Sequence, residues 1–262
     1  MSRDMGWQID RDGNRIHHTA LIGSDTRLGR ENSIGPYSIV GGLGSQVIVG
    51  DHSSIGAGCI IGSPAENATG YPGIAHLNFS QYADAHPQEV FAVRIGDNCV
   101  IRDRVTIHAG LIKDTCVGDF NYLHSGTHLN HDCQTEIGVV FAPSVISAGR
   151  TYFGAFSQIG LGSCLHQDCS VEALAMIGMN STVKGRVPAM SMHFGSPSRI
   201  RGANRVRLVR LGLNESQIDE VELYLLNLTA TVEDVKERFR ALLDELIAES
   251  SKRIRANWNG QR

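Results

Sequence analysis

The sequence predicts an all-β solenoid, a parallel β-helix, followed by an α-helical C-terminal region. Three observations support this fold class. Aliphatic residues recur at every sixth position over most of the chain. Glycine is abundant, at 29 of 262 residues, which suits a chain with many tight turns. After Pro188 the period of six stops, and apolar residues reappear at the spacing of α-helices.

The six-residue period identifies the residues that should point into the core. Apart from Thr135 and Ser147, every position is apolar, and many are followed directly by glycine. This period fits neither an amphipathic helix nor a hairpin meander, but it fits a solenoid in which three short strands and three turns close a triangular coil. The series comprises Ile16, Ile22, Leu28, Ile34, Val40, Val49, Ile55, Ile61, Ile95, Ile101, Ile107, Val117, Leu123, Leu129, Thr135, Phe141, Ser147, Phe153, Ile159, Leu165, Val171, Ile177 and Val183.

Two segments interrupt the period, and they help to define the predicted domains. Ser63–Arg94 is rich in Pro, Gly, Asn and His, whereas His108–Cys116 is a shorter excursion. Long loops inside a compact repeat are usually functional or disordered, and of these alternatives we favour a substrate-lining role for the first segment. The predicted parts are an N-terminal segment (1–15), a β-helix (16–197) with an insertion (63–94), and a helical region (198–262).

Capping patterns predict two helices in the C-terminal region, between about Ser198 and about Ser251. Asn214 and Gln217 have the spacing of a capping box, and Thr231 is a candidate second N-cap. The apolar residues that follow at helical spacing are Ile218, Val221, Leu225 and Leu228 for the first helix, and Val232, Val235, Phe239, Leu242 and Leu246 for the second.

Composition excludes several classes of protein. The formal net charge of −3 does not indicate a nucleic-acid-binding protein. The six cysteines form no C-x-x-C pair, and we see no signal peptide, so we predict free thiols and a cytoplasmic location. No apolar run reaches the roughly eighteen residues that a membrane span needs.

The phase of the repeat places a histidine beside a glycine. Three hexads make a coil of eighteen residues, and adjacent strands lie about 4.8 Å apart. Gly149 should therefore lie beside His131, and Gln167 beside Gly149. The adjacent column should alternate in charge, and its members are Asp132, Arg150 and Asp168.

This arrangement suits acyl transfer. A neutral imidazole at His131 can act as general base on a hydroxyl or amine, and the N–H of Gly149 can serve an oxyanion hole. A surface turn histidine is the simpler alternative for His131. Zinc ligation by His124, His128 and His131 is a further alternative, but their spacing puts them at different points of the coil, so we predict no metal.

A basic stretch without acidic residues lies between Glu172 and Glu215. It indicates either a solvated helix face or a surface for an acidic partner, such as acyl carrier protein or nucleotide phosphates. Its basic residues are Lys184, Arg186, Arg199, Arg201, Arg205, Arg207 and Arg210.

Over nearly its full length the sequence resembles the UDP-N-acetylglucosamine O-acyltransferase (LpxA) family of hexapeptide-repeat enzymes. The most specific matching stretches are Ile95-Gly96-Asp97, Val105-Thr106-Ile107-His108, His128-Leu129-Asn130-His131-Asp132-Cys133, Ala148-Gly149, Leu165-His166-Gln167 and Arg210-Leu211-Gly212-Leu213.

The resemblance implies a left-handed β-helix, a homotrimer with active sites between subunits, and acyl transfer from acyl carrier protein to a nucleotide-sugar hydroxyl in lipid A synthesis. It implies that His131 is the catalytic base, that Asp132 orients it, and that Gly149 binds the oxyanion. Met179 lies at the family's acyl-chain ruler position, where a bulky residue implies a shorter chain. No cofactor is implied beyond acyl carrier protein or acyl-CoA as donor. The implied substrate contacts are His128, His166, Gln167, Asn204 and Arg210.

The departures from the family leave the acceptor open. Arg150 stands where the family usually has a second histidine, and the family's sugar-contacting loop is not recognisable in 63–94. Val206 and Leu211 replace a glutamate and an arginine in the tail. An N-acyltransferase acting on an amino sugar, with acyl-CoA or acyl carrier protein as donor, is the alternative enzyme. A purely structural β-helix subunit is the non-enzymatic alternative.

Overall fold

Short strands of two to five residues form three sheets, which are the three faces of a left-handed β-helix. The computed structural model describes residues 6–65, 91–226 and 233–259. The fold class predicted from the sequence is confirmed. The three corners of the prism are called here corner 1–2, corner 2–3 and corner 3–1, after the sheets that they join.

The strands follow one another around the prism and pair in parallel with the coils above and below. Sheet 1 contains β1 (Trp7–Ile9), β2 (Arg15–His17), β5 (Ser33–Ile34), β8 (Ser54–Ile55), β11 (Val100–Ile101), β14 (Tyr122–Leu123), β17 (Val140–Phe141), β20 (Gln158–Ile159), β23 (Met176–Ile177), β26 (Ser191–Phe194) and β27 (Arg199–Ala203). Sheet 2 contains β3 (Leu21–Ile22), β6 (Ile39–Val40), β9 (Ile60–Ser63), β12 (Thr106–His108), β15 (His128–Leu129), β18 (Ile146–Ser147), β21 (Cys164–Leu165) and β24 (Thr182–Val183). Sheet 3 contains β4 (Thr26–Leu28), β7 (Val47–Val49), β10 (Val93–Ile95), β13 (Thr115–Val117), β16 (Gln134–Thr135), β19 (Tyr152–Phe153), β22 (Ser170–Val171) and β25 (Arg186–Val187).

The residues of the six-residue series form the core, as predicted. All of them are buried except the first three, which are only partly buried. Ile16, Ile22 and Leu28 belong to the first coil, beneath which the described residues form no further coil. They line an open cavity of about 560 Å³ at this end of the prism.

The two polar residues in the series are small, and they offset the volume of the large phenylalanine between them. Thr135 and Ser147 are buried and belong to the same coil as Phe141. The ring of Phe141 meets that of Phe153 in the next coil at a centroid distance of 4.8 Å and an interplanar angle of 74°. One large and two small side chains therefore occupy three consecutive inward positions of the series.

Glycine follows many inward residues because the next coil passes close by. A Cβ at Gly35 would lie 2.7 Å from the carbonyl carbon of Gly56, and one at Gly160 would lie 2.6 Å from that of Gly178. Real Cβ atoms do not approach backbone so closely, so these positions are restricted to glycine by packing.

The stacking interval is eighteen residues through the middle of the β-helix, as predicted. Gln134 pairs with Tyr152, and Ile146 with Cys164. Across the 109–114 loop, which joins β12 to β13, the interval rises to 22, as in the Thr106–His128 pair. The excursion predicted at His108–Cys116 therefore adds four residues to one coil.

The insertion at 63–94 is shorter at both ends than predicted, because Ser63 belongs to β9, and Val93 and Arg94 belong to β10. Most of this segment, residues 66–90, lies outside the described part of the chain, as does the substrate-lining role predicted for it.

The described part of the C-terminal region contains three helices, α1 (Arg205–Arg210), α2 (Glu215–Leu226) and α3 (Glu233–Asn259). The prediction that helical structure begins near Ser198 is wrong, because Arg199–Ala203 is strand β27. It pairs antiparallel with β26, which covers the backbone edge of the last coil. Similarly, β1 lies within the predicted N-terminal segment and pairs antiparallel with β2.

The predicted capping box of α2 is present, since Asn214 and Gln217 exchange two hydrogen bonds of 3.0 Å between backbone N–H and side-chain oxygen. Leu228 and Thr231 lie outside the described residues, and α3 continues past Ser251 to Asn259. No helix in the described ranges is both long and apolar enough to cross a membrane.

The helices pack on corner 3–1. Successive coils place Phe156, Leu174 and Met190 there with φ between 57° and 59°, a conformation that turns their side chains outward from the prism. They form a second core with residues of the helices, namely Leu208, Leu213, Ile218, Val221, Leu225 and Leu246.

Replacing Phe141 with alanine should lower the free energy of unfolding by roughly 3–5 kcal/mol, because Thr135 and Ser147 cannot fill the resulting cavity. The measurement is chemical denaturation at constant protein concentration. The matched control is Val140→Ala on the same strand, whose side chain faces outward and whose loss should cost less than about 1 kcal/mol. Equal effects of the two variants would contradict this account of the core.

Candidate active site

A histidine–aspartate pair lies at corner 2–3, where the chain passes from β15 to β16. Nδ1 of His131 is 2.6 Å from Oδ2 of Asp132, and both residues are buried, with 4% and 0% of their surfaces exposed. The backbone N–H of His131 donates to Oδ1 of Asn130 at 2.8 Å, which fixes the start of the turn.

The second carboxylate oxygen of Asp132 is held by the 109–114 loop. Oδ1 accepts hydrogen bonds from the backbone N–H groups of Leu111, Ile112 and Lys113 at 2.8, 2.9 and 3.1 Å. The N–H of Asp132 itself donates to Oγ1 of Thr115 at 2.8 Å. This corner residue therefore has hydrogen-bond partners on both its carboxylate and its backbone.

Burial and hydrogen bonding act in opposite directions on Asp132. Burial by itself raises the pKa of the carboxyl, but the hydrogen bonds from Ile112, His131, Leu111 and Lys113 together hold this pKa below its ordinary value. The carboxylate is therefore ionised near neutral pH and accepts a hydrogen bond from Nδ1–H of His131. In the neutral imidazole, Nε2 then carries the free lone pair.

Gly149 lies directly against this imidazole, one coil further on. A Cβ at Gly149 would lie 2.5 Å from Nε2 of His131, so no other residue fits there without displacing the ring. The N–H of Arg150 donates to the carbonyl of His131 at 2.9 Å, which fixes the two coils in register. Within the described residues, the N–H of Gly149 donates no hydrogen bond. The predicted stacking of His131 and Gly149 is confirmed.

The predicted column of alternating charge is present, and one ion pair forms within it. Asp132, Arg150 and Asp168 do occupy the same corner position, with φ of 62°, 59° and 63°. Arg150 makes a two-pronged ion pair with Asp168, at 2.6 and 3.0 Å, but none with Asp132. The ion pairing does not extend to Asp132, because its carboxylate is already bonded to His131 and the 109–114 loop.

Two further histidines lie on sheet 2 beside this pair. Nδ1 of His128 is 2.7 Å from Oγ1 of Thr106, and its ring centroid is 5.0 Å from that of His108. His108 is buried, with Nδ1 2.6 Å from the carbonyl of Pro64. His128 thus lies on strand β15, which leads into the turn that carries the pair.

His166 and Gln167 lie on the same corner, one coil beyond Gly149, and both are exposed. The N–H of Asp168, the next residue, donates to the carbonyl of Gly149 at 3.2 Å. The structure therefore brings together five of the predicted site residues along one edge of the prism, namely His131, Asp132, Gly149, His166 and Gln167.

Three predicted site residues lie elsewhere in the same chain. Asn204 is buried under the helices, where its Nδ2 donates to the carbonyl of Leu174 at corner 3–1. Arg210 is exposed in the last turn of α1. Met179 lies at corner 1–2, with 67% of its surface exposed. A single chain does not bring these residues to His131.

The sequence did not identify the backbone donors of the 109–114 loop or the hydroxyls of Thr106 and Thr115. Backbone N–H groups leave no signature in residue type, so only the break in the repeat marked this loop. Among the described residues, no group of three or more His, Cys, Asp or Glu has an arrangement that could hold a metal ion.

Comparisons with known proteins bear on the identity of the chain. No protein-family profile matches it. Acyl-[acyl-carrier-protein]–UDP-N-acetylglucosamine O-acyltransferase of Thermodesulfovibrio yellowstonii is 33% identical over 214 residues, covering 79% of this chain and 81% of that protein. The enzyme of the same name from Gloeothece citriformis is 35% identical over 144 residues, and there the match spans 52% of each chain.

Solved structures agree with the sequence comparison. LpxA from Acinetobacter baumannii superposes with a TM-score of 0.63 at 25% identity, covering 90% of this chain and 93% of the other. LpxA from Bacteroides fragilis, at 22% identity, has a TM-score of 0.65 and shares the fold over 90% of this chain and 91% of its own. The chain belongs to the acyl-[acyl-carrier-protein]–UDP-N-acetylglucosamine O-acyltransferase family.

Proposed function

We propose that this protein transfers an acyl group from acyl carrier protein to the 3-hydroxyl of a UDP-N-acetylglucosamine-type sugar nucleotide, as in lipid A synthesis. The observation that carries the proposal is the His131–Asp132 pair with Gly149 stacked against the imidazole. The names of the relatives supply the donor and the acceptor.

In this mechanism His131 acts as general base. Nε2 takes the proton of the sugar hydroxyl while the oxygen attacks the carbonyl carbon of the thioester. The imidazolium that forms is stabilised by the ionised Asp132, which accepts a hydrogen bond from its Nδ1–H. Collapse of the tetrahedral intermediate breaks the carbon–sulfur bond, and the imidazolium returns the proton to the departing thiolate. The products are an ester and a free thiol.

The N–H of Gly149 is the proposed oxyanion donor. It lies beside His131 and has no acceptor among the described residues, so it is available to the negative charge that develops on the thioester oxygen. The reaction as written uses an acyl thioester, on acyl carrier protein or coenzyme A, as the only co-substrate.

The basic stretch offers a smaller surface for an acidic donor protein than its sequence indicates. Arg205 pairs with three carboxylates of α2, Arg186 pairs with Glu172, and Arg207 is half-buried. Four basic residues are exposed and pair with no acidic residue in the described ranges, namely Lys184, Arg199, Arg201 and Arg210. We propose these as the contacts for acyl carrier protein or substrate phosphates.

We further propose a homotrimer with sites between subunits. His131 at corner 2–3, Met179 at corner 1–2 and Arg210 beside corner 3–1 lie at three different edges of one prism. Only a neighbouring chain brings a second edge to His131. A cytoplasmic location accords with the six cysteines, all of which are free thiols.

Replacing His131 with alanine should lower kcat by about 10²- to 10⁴-fold, because the proton acceptor is lost. The assay is mass spectrometry of products formed from UDP-N-acetylglucosamine or from UDP-linked amino sugars, with a panel of acyl-acyl carrier proteins. His52→Ala, at a different corner, is the control and should retain activity. Unchanged activity of the His131 variant would remove the catalytic role, whereas product formed only from amino sugars would establish N-acylation instead.

Mixing two inactive variants should restore activity if the sites lie between subunits. We expect His131→Ala and Arg210→Ala each to be impaired. Trimers reassembled from equal amounts contain some interfaces with both residues intact, so activity should recover to about a quarter of the wild-type value by random assortment. Mixtures as inactive as the separate variants would indicate a site within one chain.

Replacing Met179 with glycine should allow longer acyl chains, since its exposed side chain is proposed to end the acyl-binding groove. The measurement is kcat/KM across acyl donors of increasing length, and the optimum should move to longer chains in the variant. The control is Leu161→Ala, which lies at the same corner one coil earlier. An unchanged optimum in Met179→Gly would contradict the ruler assignment.

A further inference from the structure

Three residues with the same backbone conformation have very different surroundings. Asp132, Arg150 and Asp168 stack at corner 2–3 with φ close to 60°. The side chains of Arg150 and Asp168 are 30% and 58% exposed and pair with each other, whereas that of Asp132 is completely buried. The repeat by itself therefore does not bury this corner position.

The difference arises from the 109–114 loop. It adds four residues to the coil that precedes Asp132, as shown by the change in stacking interval from 22 to eighteen residues. Its backbone covers the carboxylate, and three successive N–H groups converge on Oδ1. Such a concave run of N–H groups is a typical binding arrangement for an anion.

The loop is itself tightly fixed. A Cβ at Gly110 would lie 1.7 Å from the carbonyl oxygen of Lys113, so the turn closes only with glycine there. At its start, the N–H of Ala109 donates to the carbonyl of Ser63 at 2.7 Å. At its end, Asp114 accepts from the N–H of Ala92 at 2.8 Å. Both described ends of the 63–94 insertion therefore contact this loop.

We propose that the 109–114 loop is a positioning element for the catalytic pair. Its three N–H groups hold the carboxylate of Asp132 facing His131 and keep it ionised, which selects the tautomer with Nε2 unprotonated. This inference rests on the proposed role of His131 as general base. It adds to the proposed site residues that lie outside both the repeat and the motif around His131. Leu111, Ile112 and Lys113 act through Asp132 and not on the substrate.

Ile112 allows a direct test, because its side chain is 61% exposed while its N–H binds Asp132. Ile112→Pro removes the N–H, and Ile112→Ala removes most of the side chain but keeps the N–H. We expect the proline variant to lose roughly tenfold or more in kcat, with KM unchanged, because the pair is misplaced. The alanine variant should behave as the wild type.

The pH dependence distinguishes positioning from a general loss of structure. With one donor fewer, the pKa of the Asp132 carboxyl rises and the carboxylate holds the Nδ1 proton more tightly. The acid limb of the kcat/KM profile should then lie at higher pH in Ile112→Pro than in Ile112→Ala. Identical profiles for folded Pro and Ala variants would overturn the proposal.

A direct titration separates this proposal from the proposed reaction. In protein labelled with ¹³C at aspartate carboxyls, the Asp132 signal is assigned by its loss in Asp132→Asn, and its pKa should be higher in Ile112→Pro than in Ile112→Ala. Equal values would overturn the positioning role whether or not His131 proves to be the base. Should Ile112→Pro fail to fold, Lys113→Pro against Lys113→Ala gives the same comparison, with a smaller shift expected from its longer 3.1 Å bond.

Discussion

The parallel stacking of one coil on the next is the interaction on which the rest of the structure depends. Each strand hydrogen-bonds to the coils above and below, and the inward aliphatic residues stack into one continuous core. This register turns a separation of eighteen residues along the chain into direct contact. The contact between His131 and Gly149 follows from it, as does the exclusion of every side chain but hydrogen at residue 149.

The three corners of the prism differ in their side chains although their backbone conformation is nearly the same. These side chains decide what each edge of the prism can bind. At corner 3–1, Phe156, Leu174 and Met190 supply an apolar column on which the helices pack. At corner 2–3, the same left-handed conformation carries Arg150 and Asp168, which pair with each other. One geometry therefore supports a helix-packing surface at one edge and a charged pair at another, and the choice depends on side-chain chemistry alone.

The His131–Asp132 pair needs more hydrogen-bond donors than the repeat provides. A buried carboxylate is costly unless it is fully hydrogen-bonded, and the regular turn offers Asp132 only His131. The 109–114 loop supplies the remaining donors from the backbone, which needs no additional side chain to be ordered. The loop thus breaks the regular stacking interval in one coil. In doing so it fixes an ionised carboxylate beside the imidazole.

The sequence by itself determined the solenoid, its core series, the capping box at Asn214 and the adjacency of His131 and Gly149. These follow from periodicity and from covalent spacing, which are properties of the chain read in order. Only the tertiary structure decided that Arg150 pairs with Asp168 and not with Asp132, and that Arg199–Ala203 is a strand. Both outcomes depend on backbone groups from elsewhere in the chain. The 109–114 loop binds the carboxylate of Asp132, and β26 pairs with Arg199–Ala203. Backbone N–H and C=O groups are identical in almost every residue, so their competition leaves no mark in the sequence.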